Sequence, residues 1–173
     1  LMLPFANDPE VGVRRRLARF IARREGHEWW QLAGKLLVDD DVEVRKCARI
    51  AALYQIPLDA NGHSEASAWA AATNPRLRSA GQLALLQNGD LDAAIAFLRE
   101  LGGTPSEEMW LPLLWLTMLA PNADGSRRTA PDLALANDPA AWAAYCRRMA
   151  DELAASRAQL EWHEKSRRWQ RRA

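Results

Sequence analysis

Asp8-Pro9-Glu10-Val11-Gly12-Val13-Arg14 and Asp39-Asp40-Asp41-Val42-Glu43-Val44-Arg45 are one phrase written twice, thirty-one residues apart. Each opens on an acidic turn and closes on an arginine six residues after the first aspartate. A third copy, Asn74-Pro75-Arg76-Leu77-Arg78, starts thirty-three residues after Asp41. There Ala72 stands six residues before the arginine, so Asn74 is left to cap the helix. Every copy leads into a run rich in Ala, Leu and Ile. Such a period belongs to stacked helix pairs, because one pair alone cannot bury its apolar stripe. The phrase therefore predicts an all-α chain wound as a right-handed α-α superhelix.

The same elements are marked along the rest of the chain. Val13, Leu17, Phe20 and Ile21 share one helical face over residues 10–24. Residues 27–38 carry Trp29, Trp30, Leu32, Leu36 and Leu37, and residues 42–54 bury Val44, Ala48, Ala51 and Leu53. After a loop around Pro57 and Gly62, Ser64 is read as the cap of an alanine-rich helix anchored by Trp69. Pro75–Gln87 ends at Asn88-Gly89, a helix stop. Asp90 caps residues 91–101. Thr104-Pro105-Ser106-Glu107 reads as a capping box before a very apolar helix to Leu119. Residues 121–137 form the longest loop. From Asn137-Asp138-Pro139 a long C-terminal helix is expected through residues 138–173. Its seam of Trp142, Tyr145, Met149, Leu153 and Leu160 packs on the repeats of residues 1–120, and its basic end projects. The opening Leu1-Met2-Leu3-Pro4-Phe5 reads as the tail of a helix, and the chain as a piece of a longer protein.

The duplicated phrase resembles the HEAT repeat family, in which each unit is an antiparallel helix pair and the second helix starts near an Asp and carries a Val-Arg pair. The resemblance covers about residues 1–90. It implies that Asp8 and Arg14, then Asp39 and Arg45, take part in a ladder of Asp–Arg contacts between successive repeats. Asp39→Ala is expected to remove a helix cap. Gly89-Asp90-Leu91-Asp92-Ala93-Ala94-Ile95-Ala96-Phe97-Leu98 resembles half of a tetratricopeptide repeat, which implies an Ala-rich helix packing closely on its neighbour.

Composition narrows the function less than the fold. The 173 residues carry a formal net charge of +1, with 49% apolar and 26% charged residues, as in an ordinary globular chain. Arginine outnumbers lysine twenty to three, a coding bias of GC-rich bacterial genomes. Cys47 and Cys146 are read as unpaired core thiols of a cytoplasmic protein. There is no signal peptide pattern, and the longest apolar run, residues 109–120, falls short of the about 20 residues of a membrane span. No membrane partner, cofactor or metal is expected.

No catalytic constellation is visible. His27, His63 and His163 have no ligand spacing, and Trp162-His163-Glu164 lacks the second histidine of a zinc protease helix. Asp39-Asp40-Asp41 invites a metal reading. It is better read as a capping turn, because Asp39 and Asp41 align with Asp8 and Glu10.

What remains points to binding. Eight tryptophans are many for this length. Trp69, Trp115 and Trp142 are expected in the core. Trp29 and Trp30 point about 100° apart on a helix, so one of them is expected at the surface; Trp110 is ambiguous. Arg15, Arg19 and Arg23 form a stripe on the first helix with Arg16 alongside, continued by Lys46 and Arg49 and ending at Ser79 and Gln82. In the family the second helices line the concave face, which implies a groove that begins basic. The bland alternative is a solvated face balanced by Glu10, Glu25 and Glu43. A second candidate is the tail, where Trp162, Arg167, Arg168 and Trp169 form a contact arm that is expected to be dispensable for folding. The leading expectation is a non-enzymatic protein-interaction module: an adaptor or scaffold, an immunity or inhibitor protein, or a sensor region. The expected partner is an acidic protein, and the C-terminal helix offers a route to self-association. The alternative is a nucleic-acid-binding protein. HEAT-like alkylpurine DNA glycosylases hold a duplex in such a groove, although the catalytic Asp of a Trp-lined pocket has no counterpart here.

Overall fold

The computed structural model describes residues 2–24, 29–53, 58–103, 107–122 and 126–172. The chain forms two compact units, Leu1–Leu85 and Leu86–Ala173. No helix among the described residues is long and apolar enough to cross a membrane.

The first unit opens with a 3-10 turn, Leu3–Asn7, followed by α1 (Val11–Ile21), α2 (Trp30–Leu37), α3 (Val42–Leu53), α4 (Ala60–Ala70) and α5 (Pro75–Leu86). α3 packs against both α1 and α2. Leu17, Ala18 and Ile21 of α1, Trp30, Leu36 and Leu37 of α2, and Val44, Ala48 and Ala51 of α3 are buried, as their spacing requires. Trp30 and Trp69 stack at 4.5 Å. α4 begins before the expected cap: Asp59, not Ser64, accepts the Gly62 N–H at 2.7 Å. α4 and α5 touch backbone to backbone at Gly81, where an added Cβ would lie 2.3 Å from the Ala70 nitrogen.

The repeated arginine has the same structural job three times. Arg14 donates to the carbonyls of Asp8 (2.7 Å) and Pro9 (3.4 Å). Arg45 donates to those of Asp39 (2.9 Å) and Asp40 (2.7 Å), and Arg78 to those of Ala72 (2.9 Å) and Thr73 (3.1 Å). Each ties its helix to the turn that precedes it. Contact between the first two copies comes from carboxylates, whereas Arg76 of the third donates to the Val38 and Asp39 carbonyls at 3.4 and 3.1 Å. Arg14 forks onto Asp39, Nε to Oδ2 at 2.7 Å and Nη2 to Oδ1 at 3.3 Å. Asp39 is thus the bridging residue and not the helix cap. The cap is Asp41, which accepts the Glu43 and Val44 N–H groups at 3.1 and 3.0 Å. Asn74 does the same for Arg76 and Leu77.

The second unit contains α6 (Leu91–Leu101), α7 (Glu107–Leu119), a 3-10 turn (Leu133–Asn137), α8 (Pro139–Ala155), a short 3-10 turn (Arg157–Gln159), and two strands, β1 (Leu160–His163) and β2 (Arg168–Arg171). Asp90 caps α6 by accepting the Ala93 N–H at 2.9 Å, and Asp138 caps α8, both as expected. The expected box at residues 104–107 lies largely outside the described residues. α6 and α8 pack together, and the buried Trp142 indole donates to the Leu101 carbonyl at 2.6 Å. In the long loop, Arg128 bonds Glu152 of α8 at 2.7 Å.

The chain's end departs from the expected helix. α8 stops at Ala155, and the last residues form an antiparallel hairpin with Trp162 opposite Trp169. The sequence Leu160-Glu161-Trp162 alternates, so one face carries Leu160, Trp162 and Trp169. Leu160 and Trp169 are buried, at 6% and 3% exposure. The segment does not project. It is held on the α5–α6 turn, where Arg167 donates to the Gln87 carbonyl at 2.5 Å and Trp162 covers Gly89.

Candidate partner-binding surface

The structure divides the expected contact residues into two groups. Those in the first are occupied within the protein. Arg15 forks onto Asp41, Nε to Oδ1 at 3.0 Å and Nη2 to Oδ2 at 2.6 Å, so it joins one repeat copy to the next. Lys46 pairs with Glu43 of its own helix at 3.1 Å. Arg49 and Gln82, expected at the end of the stripe, are buried. Trp30 is core, at 1% exposure. Trp29 is half-buried edge-on against Phe20 at 5.6 Å, with Arg24 over that ring at 4.6 Å. Trp162 and Trp169 meet each other edge-to-face at 5.0 Å, and Arg167 lies over Trp162. Trp69 and Trp142 are core as expected, whereas Trp115 and Trp110 are half-buried.

The second group faces solvent. Arg16, Arg19 and Arg23 are exposed, and their side chains make no hydrogen bond or ion pair among the described residues. Their spacing of three and four puts them on one face of α1 and the turn after it. Arg168, half-buried on the hairpin, lines a cleft of about 370 Å³ shared with the exposed Arg127 and Arg171. The sequence contains these last two only as members of Arg-Arg doublets. Nothing in their spacing brings them together, since their meeting depends on the hairpin.

The displaced ionisation equilibria belong to the scaffold. Burial pushes the Asp39 carboxyl up, but the Arg14 hydrogen bond and the Asp41 N–H outweigh it and hold it below the ordinary carboxylate range. The Arg15 hydrogen bond holds Asp41 well below that range. Burial pushes the Cys146 thiol up to about 12, which makes it an inert core group. Cys47 is half-buried, and neither thiol is in a disulfide. Among the described residues no cluster of His, Cys, Asp and Glu is arranged to hold a metal.

These pairs make the first unit acid-sensitive in a defined direction. Both carboxyls titrate lower when folded than when unfolded. Their stabilisation is full above the unfolded value of about 4 and is lost as pH falls toward the folded values. Asp39→Asn is expected to lower the urea midpoint at pH 7 and to flatten its dependence between about pH 5 and 3. An equal drop at both ends of that window would show that the loss does not come from the ionised Asp39 carboxylate.

Comparison with protein-family models, with curated proteins and with solved structures finds no match to this chain.

Proposed function

We propose that this chain is a non-enzymatic protein-interaction module whose first unit, built from HEAT-like repeats, presents a cationic helix face to an acidic surface of a partner protein. The observation that carries the reading is how the arginines are used. Arg14, Arg45 and Arg78 fasten turns, and Arg14 and Arg15 join repeat copies. Arg16, Arg19 and Arg23 do neither, yet they stand together with no ion pair among the described residues. Three like charges on one helix face repel one another, so an acidic partner relieves a cost that solvent only screens. Ion pairs or burial cause the displaced titrations at Asp39, Asp41 and Cys146, which supports a structural role for these groups.

The test begins with capture of the partner on the full chain and its identification by mass spectrometry. Binding is then compared for the wild type and for Arg16→Glu/Arg19→Glu/Arg23→Glu. The exposed positions should tolerate the change. The affinity for the identified partner is expected to fall about tenfold or more, mainly through a slower association rate. Unchanged binding removes the α1 face from the reading. A duplex DNA titration in the same format addresses the nucleic-acid alternative. Tighter binding to DNA than to any protein, with log affinity falling by several units per unit of log salt, would replace the present proposal.

A further inference from the structure

The cleft in the second unit lies along the outer edge of β2. A cavity touching Arg168, Trp169, Gln170 and Arg171 in succession runs beside the strand's edge, because alternate side chains leave by opposite faces. The opposite wall is the end of α7 with Pro121, Ser126 and Arg127. Strand parity shows which backbone groups face the cleft. The Arg172 N–H donates to the Gln159 carbonyl at 2.8 Å, across from β1. With Gln170 opposite Glu161 and Arg168 opposite His163, those residues point their peptide groups toward β1. Trp169 and Arg171 therefore point theirs outward, and no backbone partner among the described residues takes them.

Two further features say what could lie there. Arg127, Arg168 and Arg171 converge on the cleft, and no carboxylate is among its described lining residues. Met118 stands 70% exposed at the rim, an apolar side chain with nothing over it. An unpaired strand edge is a hydrogen-bonding template that proteins ordinarily cover or blunt. Here it is edged by positive charge and one soft apolar contact. A single-stranded nucleic acid is the poorer fit. It would need an exposed ring for stacking, and the aromatic residue of the lining, Trp169, is 3% exposed and already against Trp162.

We infer that this cleft binds an extended acidic peptide segment of another protein, which adds as a strand to the free edge of β2 with its carboxylates on Arg127, Arg168 and Arg171. The inference stands apart from the α1 face, since it uses a different unit and different residues. Backbone bonds would supply affinity, while charge and the Met118 contact select the sequence.

The experiment uses the full chain and fluorescein-labelled eight-residue peptides, read by anisotropy. A peptide of repeated Glu-Glu-Val-Val, which places carboxylates on both faces of the added strand, is expected to bind, and repeated Lys-Lys-Val-Val is not. N-methylating the alternate residues whose N–H groups face β2 should weaken binding at least tenfold, whereas N-methylating the other set should leave it within about twofold. This comparison leaves the protein untouched, so it holds whatever a variant does to folding. Arg127→Glu/Arg171→Glu should also cost at least tenfold, and Met118→Glu a smaller loss. Absence of binding by the acidic peptide overturns the inference. So does equal response to the two methylation sets, which would indicate charge attraction without strand addition. So does tighter binding of a twelve-nucleotide single strand than of the peptide. None of these outcomes bears on the α1 surface, whose test is the triple arginine reversal with the captured partner.

Discussion

Gly81→Ala is expected to lower the melting temperature of the first unit by roughly 10 °C or more, although alanine is the better helix former. The two effects have opposite signs, and their sizes decide between them. Within a helix, alanine is favoured over glycine by about 1 kcal/mol. Against that, the new Cβ would lie 2.3 Å from the Ala70 nitrogen, 2.6 Å from the Ala66 carbonyl oxygen and 2.8 Å from the Trp69 carbonyl carbon. All three are backbone atoms of α4, so no rotamer change relieves the overlap, and the helix itself must move. Overpacking that displaces backbone costs about 3 kcal/mol or more. Moving α4 also disturbs the Trp30–Trp69 contact at the centre of the unit. The net loss of about 2 kcal/mol or more corresponds to the stated shift for a domain of this size. Gly103→Ala is the control. Its Cβ would find one neighbour, the Glu100 carbonyl oxygen, at an ordinary 3.6 Å. Thermal unfolding followed by circular dichroism compares them, and a Gly81→Ala protein that melts with the wild type would mean that α4 and α5 do not cross at this distance.

That crossing was not legible in the sequence, where Gly81 is one small residue beside Ser79, Ala80 and Ala84. The repeated phrase was legible in part, and its physics shows why. A spacing of six from the start of the turn to the arginine recurs because an arginine in the first helical turns reaches the carbonyls six and five residues back. The acceptor is backbone, so Ala72 serves as well as Asp8 or Asp39. The third copy looked degenerate only because the aspartate side chain was taken for the partner. The Asp39 carboxylate has a separate task, gripping Arg14 of the preceding copy. Helix caps at Asp90 and Asp138 were readable for the opposite reason, since an N-cap is a local bond between residues two or three apart.

The tail was misread because its strongest signal is ambiguous. Trp162 and Trp169 are seven apart, which brings two residues together on a helix after two turns. In a hairpin closed by a four-residue turn, residues seven apart face each other across the strands, as these two do. The alternation in β1 lasts four residues, too short to outweigh a heptad. The turn also lacks its usual glycine or asparagine. Arg167 itself takes the left-handed conformation, φ +50°, and its guanidinium holds the Gln87 carbonyl. The stripe on α1 was misjudged on a similar ground. Periodicity places Arg15 on the same surface as its neighbours, but it cannot register that Asp41 comes within 2.6 Å of it.

The hairpin's burial leads to the other large effect, which reverses the expectation drawn from the sequence. A chain ending at Gln159 should lose the cooperative fold of its second unit and not merely a contact arm. Deletion removes Leu160 and Trp169, both buried, each contributing about 1.5–3 kcal/mol by transfer from water. It removes the Trp162–Trp169 contact, about 0.5–1.5 kcal/mol beyond that, and the Arg167 bond that covers the Gln87 carbonyl. Together these approach the 5–15 kcal/mol that holds a whole domain. Gly89→Ala probes the same docking with one methyl group. Gly89 has φ +90°, and its Cβ would lie 2.5 Å from the Trp162 ring, so the substitution strains the turn and lifts the hairpin at once. It should melt well below wild type and lose the near-UV dichroism of the tryptophan pair while keeping most of its helical signal. If the truncated chain instead keeps its melting temperature and the protection of α6 and α8, the hairpin is an appendage and its buried face contributes nothing to the fold.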